Sequence, residues 1–251
     1  MPGPPDYAEC FMRTVPIGEF TISGALRRGA VGTPRPTFQL QAERWWAFLQ
    51  KRSEVVFFAI LILVFNAPVL FGGFCSSMMF QPDAVRSGEW WRLLTHPFVH
   101  LTWYHLLLDG TAFLSLYCSL LERRIFVRLA YVAAAGVGSL VTSWVASPSI
   151  STNGLCGLSG IAHGLMAISA IEMLGGDKTE KRIGWISLML VLGKGVFEAI
   201  TGKMFFAFLD FGLLGAPVAV SHAGGILGGL IAMLWVWQGR KRRCKPRLQI
   251  K

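Results

Sequence analysis

Apolar and polar positions alternate along this chain in long blocks. Six blocks are apolar enough, over enough residues, to be read as membrane helices, and short polar or Gly/Pro-containing connections separate them. A bilayer core about 30 Å thick needs roughly 20 mostly apolar residues per helix. The pattern predicts spans at about 55–73, 102–121, 126–146, 159–174, 183–201 and 217–237. The second is the weakest by hydropathy, because His105 and Asp109 fall near its start. The expected fold class is an all-α polytopic membrane protein, a bundle of six transmembrane helices occupying 55–237. Residues 1–40 read as a polar, disordered tail and 238–251 as a basic tail. Between 41 and 54, Trp45, Trp46 and Phe48 lie beside Arg44, Lys51 and Arg52, the composition of an interfacial anchor. The first residues, Met1–Asp6, lack a basic segment leading into an apolar core, so no secretory signal peptide is expected.

Composition agrees with this pattern. Hydrophobic residues make up 53% of the 251 positions, in runs too long for soluble domains. The net charge of +10 would suit nucleic acid. The basic residues, however, cluster beside apolar segments, as Arg240, Lys241, Arg242 and Arg243 do after the last one. That is the positive-inside pattern, which also attracts anionic lipid. Membrane lipid is therefore an expected partner and nucleic acid is not. Arg44, Lys51 and Arg52 precede span one, Arg123, Arg124 and Arg128 lie at the second connection, and Lys178, Lys181 and Arg182 lie at the fourth. With six spans these regions and the basic tail share one side, so both termini are expected in the cytoplasm. The other side carries Arg86 and Arg92 balanced by Asp83 and Glu89, an uncharged 147–158 loop, then Lys203 and Asp210.

Spans two, four and six then enter from the outer side, which places His105, Ser159 and His222 at similar depth near one surface. Ionisable residues inside spans are costly and are candidates for function. A serine hydroxyl needs a base to become a useful nucleophile, and histidine has the pKa for that task. Gly157-Leu158-Ser159-Gly160 opens span four: its glycines permit a tight turn, and a helix start offers free N–H groups to an oxyanion. The same string read as packing is a small-residue face formed by Gly160 and Gly164. His222 is followed by Gly224, Gly225, Gly228 and Gly229, which would let span six approach span four. Alone, it could be a structural histidine.

The remaining polar residues are less decisive. His96 and His100 have chelating spacing, but Pro97 interrupts a helix and no HExxH motif is present, so no metal is expected. His105 reads as an oxyanion donor and His100 as a structural loop residue. Asp109 lies four residues after His105 and shares its face; protonated it could donate to an oxyanion, and ionised it could orient His105. Lys194 and Glu198 form an i, i+4 pair inside span five, either a neutralising ion pair or a polar feature guiding substrate. The five cysteines show no CxxC spacing; Cys156, close to Ser159, is a candidate for thiol reagents.

Taken together, these residues resemble the rhomboid family of intramembrane serine proteases. The resemblance rests on Glu89-Trp90-Trp91-Arg92 in the first outer loop, His100 and His105, Gly157-Leu158-Ser159-Gly160, and His222 with Gly225 and Gly229. It covers about 75–237. It implies Ser159 as nucleophile, His222 as base, and the Ser159 amide with His105 as the oxyanion hole. It also implies that Trp91 and Arg92 stabilise the loop at the membrane surface. Asp109 departs from the asparagine that many rhomboids carry, which would weaken oxyanion stabilisation. The short chain and the Lys194/Glu198 pair look similar to the bacterial rhombosortase branch, associated with trimming C-terminal sorting tails of exported proteins. The expected activity is therefore endoproteolysis in or near a transmembrane helix of a membrane-anchored substrate, in a bacterial inner membrane. It would use a Ser159–His222 dyad and no cofactor, since no third acidic residue is evident on span six. Two other readings stand beside it: a catalytically inactive relative that binds membrane helices, and a small transporter or metal-handling protein. Oligomeric state is not legible.

Overall fold

The computed structural model describes residues 53–205 and 218–244. The tail before 53, with Arg44, Trp45, Trp46, Phe48, Lys51 and Arg52, lies outside the described residues, as do Asp210 and the end of the basic tail. Among the described residues there are six long helices: α1 Ser53–Phe65, α2 Trp103–Ser119, α3 Ile125–Ala146, α4 Ser159–Met173, α5 Lys178–Thr201 and α6 Val220–Cys244. They fall on the six expected spans. No strand occurs among these residues; an isolated bridge pairs Phe80 with Leu155.

Three helix ends differ from expectation, each for a local reason. The first span was expected to reach residue 73, but α1 ends at Phe65. There the Asn66 side chain donates to Ile62 O at 2.7 Å and to Phe98 O at 2.6 Å, and Pro68 starts a separate 3₁₀ turn over Ala67–Phe71. α5 starts earlier than expected, at Lys178, because Asp177 and Glu180 form a reciprocal capping box. The expected basic loop is thus its first turns. At the other end α6 runs on through Arg240–Arg242, so the start of the basic tail is helical.

The helices are inside out relative to a soluble bundle. α3, α5 and α6 are each long and apolar enough to cross a membrane. Large apolar side chains such as Leu63, Phe126, Ile200 and Trp235 are exposed on α1, α3, α5 and α6. A continuous apolar exterior of this kind is matched by lipid, not water. α4 has only 15 residues and is packed against α2, α3, α5 and α6. At 1.5 Å per residue it rises about 22 Å, less than the bilayer core. Its first residue, Ser159, can therefore lie below the membrane surface, where irregular backbone persists only if buried or facing water.

The closest backbone approaches set the position of α6. A Cβ on Gly225 would collide with the Gly160 carbonyl of α4, and one on Gly229 would lie 2.9 Å from Gly164 O. Gly224 and Gly228 turn instead to α3, against Gly138 and Ala134. The two glycine pairs expected to face span four thus serve two neighbours. At the opposite end of the bundle from Ser159, Glu54 pairs with Arg128, and Glu122 pairs with Arg124 and Arg240. These bridges tie α1, α3, α6 and the α2–α3 connection together.

Candidate active site

The site is assembled from the loop before α2, the first turns of α2, the start of α4, the C-terminal half of α5 and the start of α6. Arg92 anchors the first loop: its guanidinium donates to Ser76 O at 2.8 Å, Met79 O at 2.7 Å and Glu89 Oε2 at 2.7 Å. Trp91 Nε1 donates to Ser77 O at 3.1 Å. These bonds give Trp91 and Arg92 the loop-stabilising position that the sequence suggested. His96 O then accepts from Gly157 N–H at 3.1 Å, joining this loop to the segment that leads into α4. Gly157 has φ +95°, and a Cβ there would lie 2.8 Å from both Asp109 Oδ2 and His105 Nε2. Only glycine suits this position.

Ser159 is the first residue of α4, and its backbone N–H donates to Asp109 Oδ2 at 3.0 Å. His105 Nε2 lies 3.1 Å from the same oxygen. The His105 backbone is held by the Thr102 cap of α2, and Leu101 N–H donates to His105 Nδ1 at 3.5 Å. That bond leaves the His105 proton on Nε2, facing Asp109. Asp109 Oδ2 therefore holds two groups at once, the Ser159 amide and His105 Nε2. His100 is fully buried and structural: its N–H and Nδ1 both meet Asn66 Oδ1, at 2.8 Å and 3.1 Å.

His222 is the third residue of α6 and is buried. Its ring stacks on His163, with centroids 4.0 Å apart and 16° between planes. His163 stands one turn after Ser159 and bonds through Nδ1 to the Ser159 carbonyl at 2.7 Å. His222 Nδ1 is 2.6 Å from Glu198 Oε2. Ser159, His222, His105, Asp109, His163 and Lys194 all line one cavity of about 190 Å³, with room for several waters. No hydrogen bond joins the Ser159 hydroxyl to an imidazole among the described residues. Gly160 lies in the α4–α6 seam against Ser139 and Ser221, so it packs helices and does not line the cavity.

Two residues of this arrangement escaped sequence reasoning. His163 is at i+4 from Ser159 and so shares its face, a relation the spacing already contained. Glu198 was legible as a partner of Lys194 or part of a substrate-guiding pair, but not as a partner of His222, because nothing in the sequence gives the rotation of α5 that turns it to α6.

His100, His105 and Asp109 place one ligand atom each within 4.8 Å of one another, a donor set that could hold a cation. The same three groups also read as a hydrogen-bonded network, with His105 Nε2 3.1 Å and His100 Nε2 3.7 Å from Asp109 Oδ2. Cys156, the cysteine nearest Ser159, is a slow target for thiol reagents. Burial, with Asp109 nearby, pushes its thiol up to about 12. Alkylation at pH 8 should therefore be at least about a hundredfold slower than for free cysteine, because the thiolate is the reactive form. Mass-spectrometric timing of iodoacetamide labelling checks this.

Comparison with known families gives one match: the rhomboid domain, over residues 87–242. No curated protein and no solved structure matches the chain. The matched segment is more than half of the chain and runs from the loop before α2 to the last turn of α6, including every residue of the cavity's polar wall. The chain belongs to the rhomboid family, a family made up in general of serine proteases that act within membranes.

Proposed function

We propose that the protein is an intramembrane serine endopeptidase in which Ser159 is the nucleophile and His222 the general base. The observation that carries this reading is the shared cavity: a serine at the recessed start of a short helix and a buried imidazole line the same water-sized space. Water is needed to complete hydrolysis, and the cavity has room for it.

In the reaction, the Ser159 hydroxyl adds to the substrate carbonyl while His222 Nε2 takes its proton. The carbonyl oxygen becomes an oxyanion. The Ser159 N–H and His105 Nε2–H would receive it once Asp109 releases them. His222 then protonates the leaving amine. A water molecule attacks the acyl-enzyme by the same route in reverse, with His222 accepting its proton and returning it to Ser159. Both termini face the cytoplasm, and substrate helices enter from lipid beside α5. The resemblance points to C-terminal sorting tails of exported proteins as substrates.

Asp109 also favours a second reading, an inactive helix-binding relative, because its carboxylate occupies the place of the oxyanion. Asp109→Asn separates the two. In the active reading the neutral amide keeps the contacts and removes a like charge, so kcat should rise severalfold to about tenfold. A fall in kcat with folding intact would mean that the carboxylate takes part in catalysis. The reading itself is tested with a fluorophosphonate probe in native-like membranes. Labelling confined to Ser159, and absent from His222→Ala, is expected. Failure of the wild type to label favours the helix-binding reading.

A further inference from the structure

We infer that Glu198 is a positioning residue for His222, supplied by α5, so that the working unit is a Ser159–His222–Glu198 triad built from three helices. This rests on the reading of Ser159 and His222 as nucleophile and base.

Glu198 is fully buried, and both of its oxygens are engaged. Oε2 meets His222 Nδ1 at 2.6 Å; Oε1 accepts from Lys194 Nζ at 2.5 Å and from Phe205 N–H at 3.0 Å. The carboxylate is thus fixed by bonds to three groups. An ion pair with Lys194 alone would explain two tolerated charges in a span, but not why the pair is turned inward onto an imidazole at the cavity wall. Lys194 itself lines that cavity.

The tautomer follows from the distances. Lys194 Nζ also approaches His222 Nδ1, at 3.2 Å, but the carboxylate is closer at 2.6 Å. A proton on Nδ1 donates to Glu198 and leaves the Nε2 lone pair as the base. The opposite tautomer would accept from Lys194 and put the proton on Nε2, which disables it. The orienting role of a triad acid is to hold the first arrangement.

Charge gives a second, independent reason. When His222 takes the serine proton it becomes a cation between the His163 ring, stacked at 4.0 Å, and the Lys194 ammonium. Glu198 is the anion in contact with it among the described residues. Without that carboxylate, the imidazolium of the buried His222 would form 3.2 Å from an unbalanced ammonium, where like charges repel.

The test uses the full chain in proteoliposomes and a single-span substrate. Wild type, Glu198→Gln, Glu198→Asp and the double variant Lys194→Met/Glu198→Gln are compared, with Ser159→Ala as control. Glu198→Gln should lower kcat by about 10²- to 10⁴-fold while KM stays within about threefold, and Glu198→Asp should recover at least about tenfold of that loss. The double variant leaves no unpaired buried charge, so it reports even if the single variant fails to fold. It should stay at least about tenfold slower than wild type, because His222 still lacks its acceptor, and be no slower than Glu198→Gln, because the ammonium is gone. Nitrogen NMR of the His222 ring should show the proton on Nδ1 in wild type and a mixture of tautomers in Glu198→Gln. A kcat within threefold of wild type in either Gln variant overturns the assignment while leaving Ser159 and His222 in place. A wild type as inert as Ser159→Ala removes both readings together.

Discussion

His222→Ala should slow cleavage of a single-span substrate by about a thousandfold or more, equivalent to ~4 kcal/mol of transition-state stabilisation. Ser159→Ala should do the same, and the double variant should be no slower than either single one. The reason is that nucleophile and base act as a unit: once the proton has nowhere to go, the hydroxyl contributes little, and the reverse holds. KM should change little, because neither side chain is placed to grip the flanking helix of a substrate. Initial rates in proteoliposomes over a range of substrate densities check both statements. A His222→Ala variant with more than a tenth of wild-type activity would show that another group takes the proton. His163, stacked on His222 at 4.0 Å, is the first to examine.

Gly225→Leu should abolish folding, with no monodisperse protein recovered from detergent. A Cβ there collides with the Gly160 carbonyl, and a leucine adds three more carbons in the same seam. Overpacking a core ordinarily costs about 1–3 kcal/mol; here the obstacle is the backbone of α4, which cannot change rotamer. Moving that backbone also moves Ser159, one residue away. Gly193→Leu is the matched control: it lies on the exposed side of α5, and a Cβ there meets nothing within 4 Å. It should leave melting temperature and activity near wild type. Size-exclusion profiles and thermal melts of the two variants, side by side, decide the matter.

The six helices were legible because they fall in apolar blocks, and exposed apolar side chains line much of α1, α3, α5 and α6. Ser159 and His222 were legible as neighbours in depth because spans alternate direction, and the structure brings both to one cavity. What the sequence did not contain is rotation. Lys194 and Glu198 on an apolar helix look the same whether they face lipid headgroups, solvent or His222, and only the packing of α5 on α6 decides. Helix ends were hidden for a related reason. Asn66 ends α1 through bonds to Ile62 and Phe98, and the second of these depends on a loop far along the chain. Likewise, nothing local could tell that Asp109 would take the Ser159 amide, since the two meet only after α2 and α4 pack.

The most direct test of the central claim is to reconstitute the protein with a single-span substrate and map the cut by mass spectrometry. The account predicts a defined product, cut in or near the transmembrane segment, formed by wild type and absent with Ser159→Ala. Equal amounts of product from both proteins, or none from either across a panel of substrates, would contradict it.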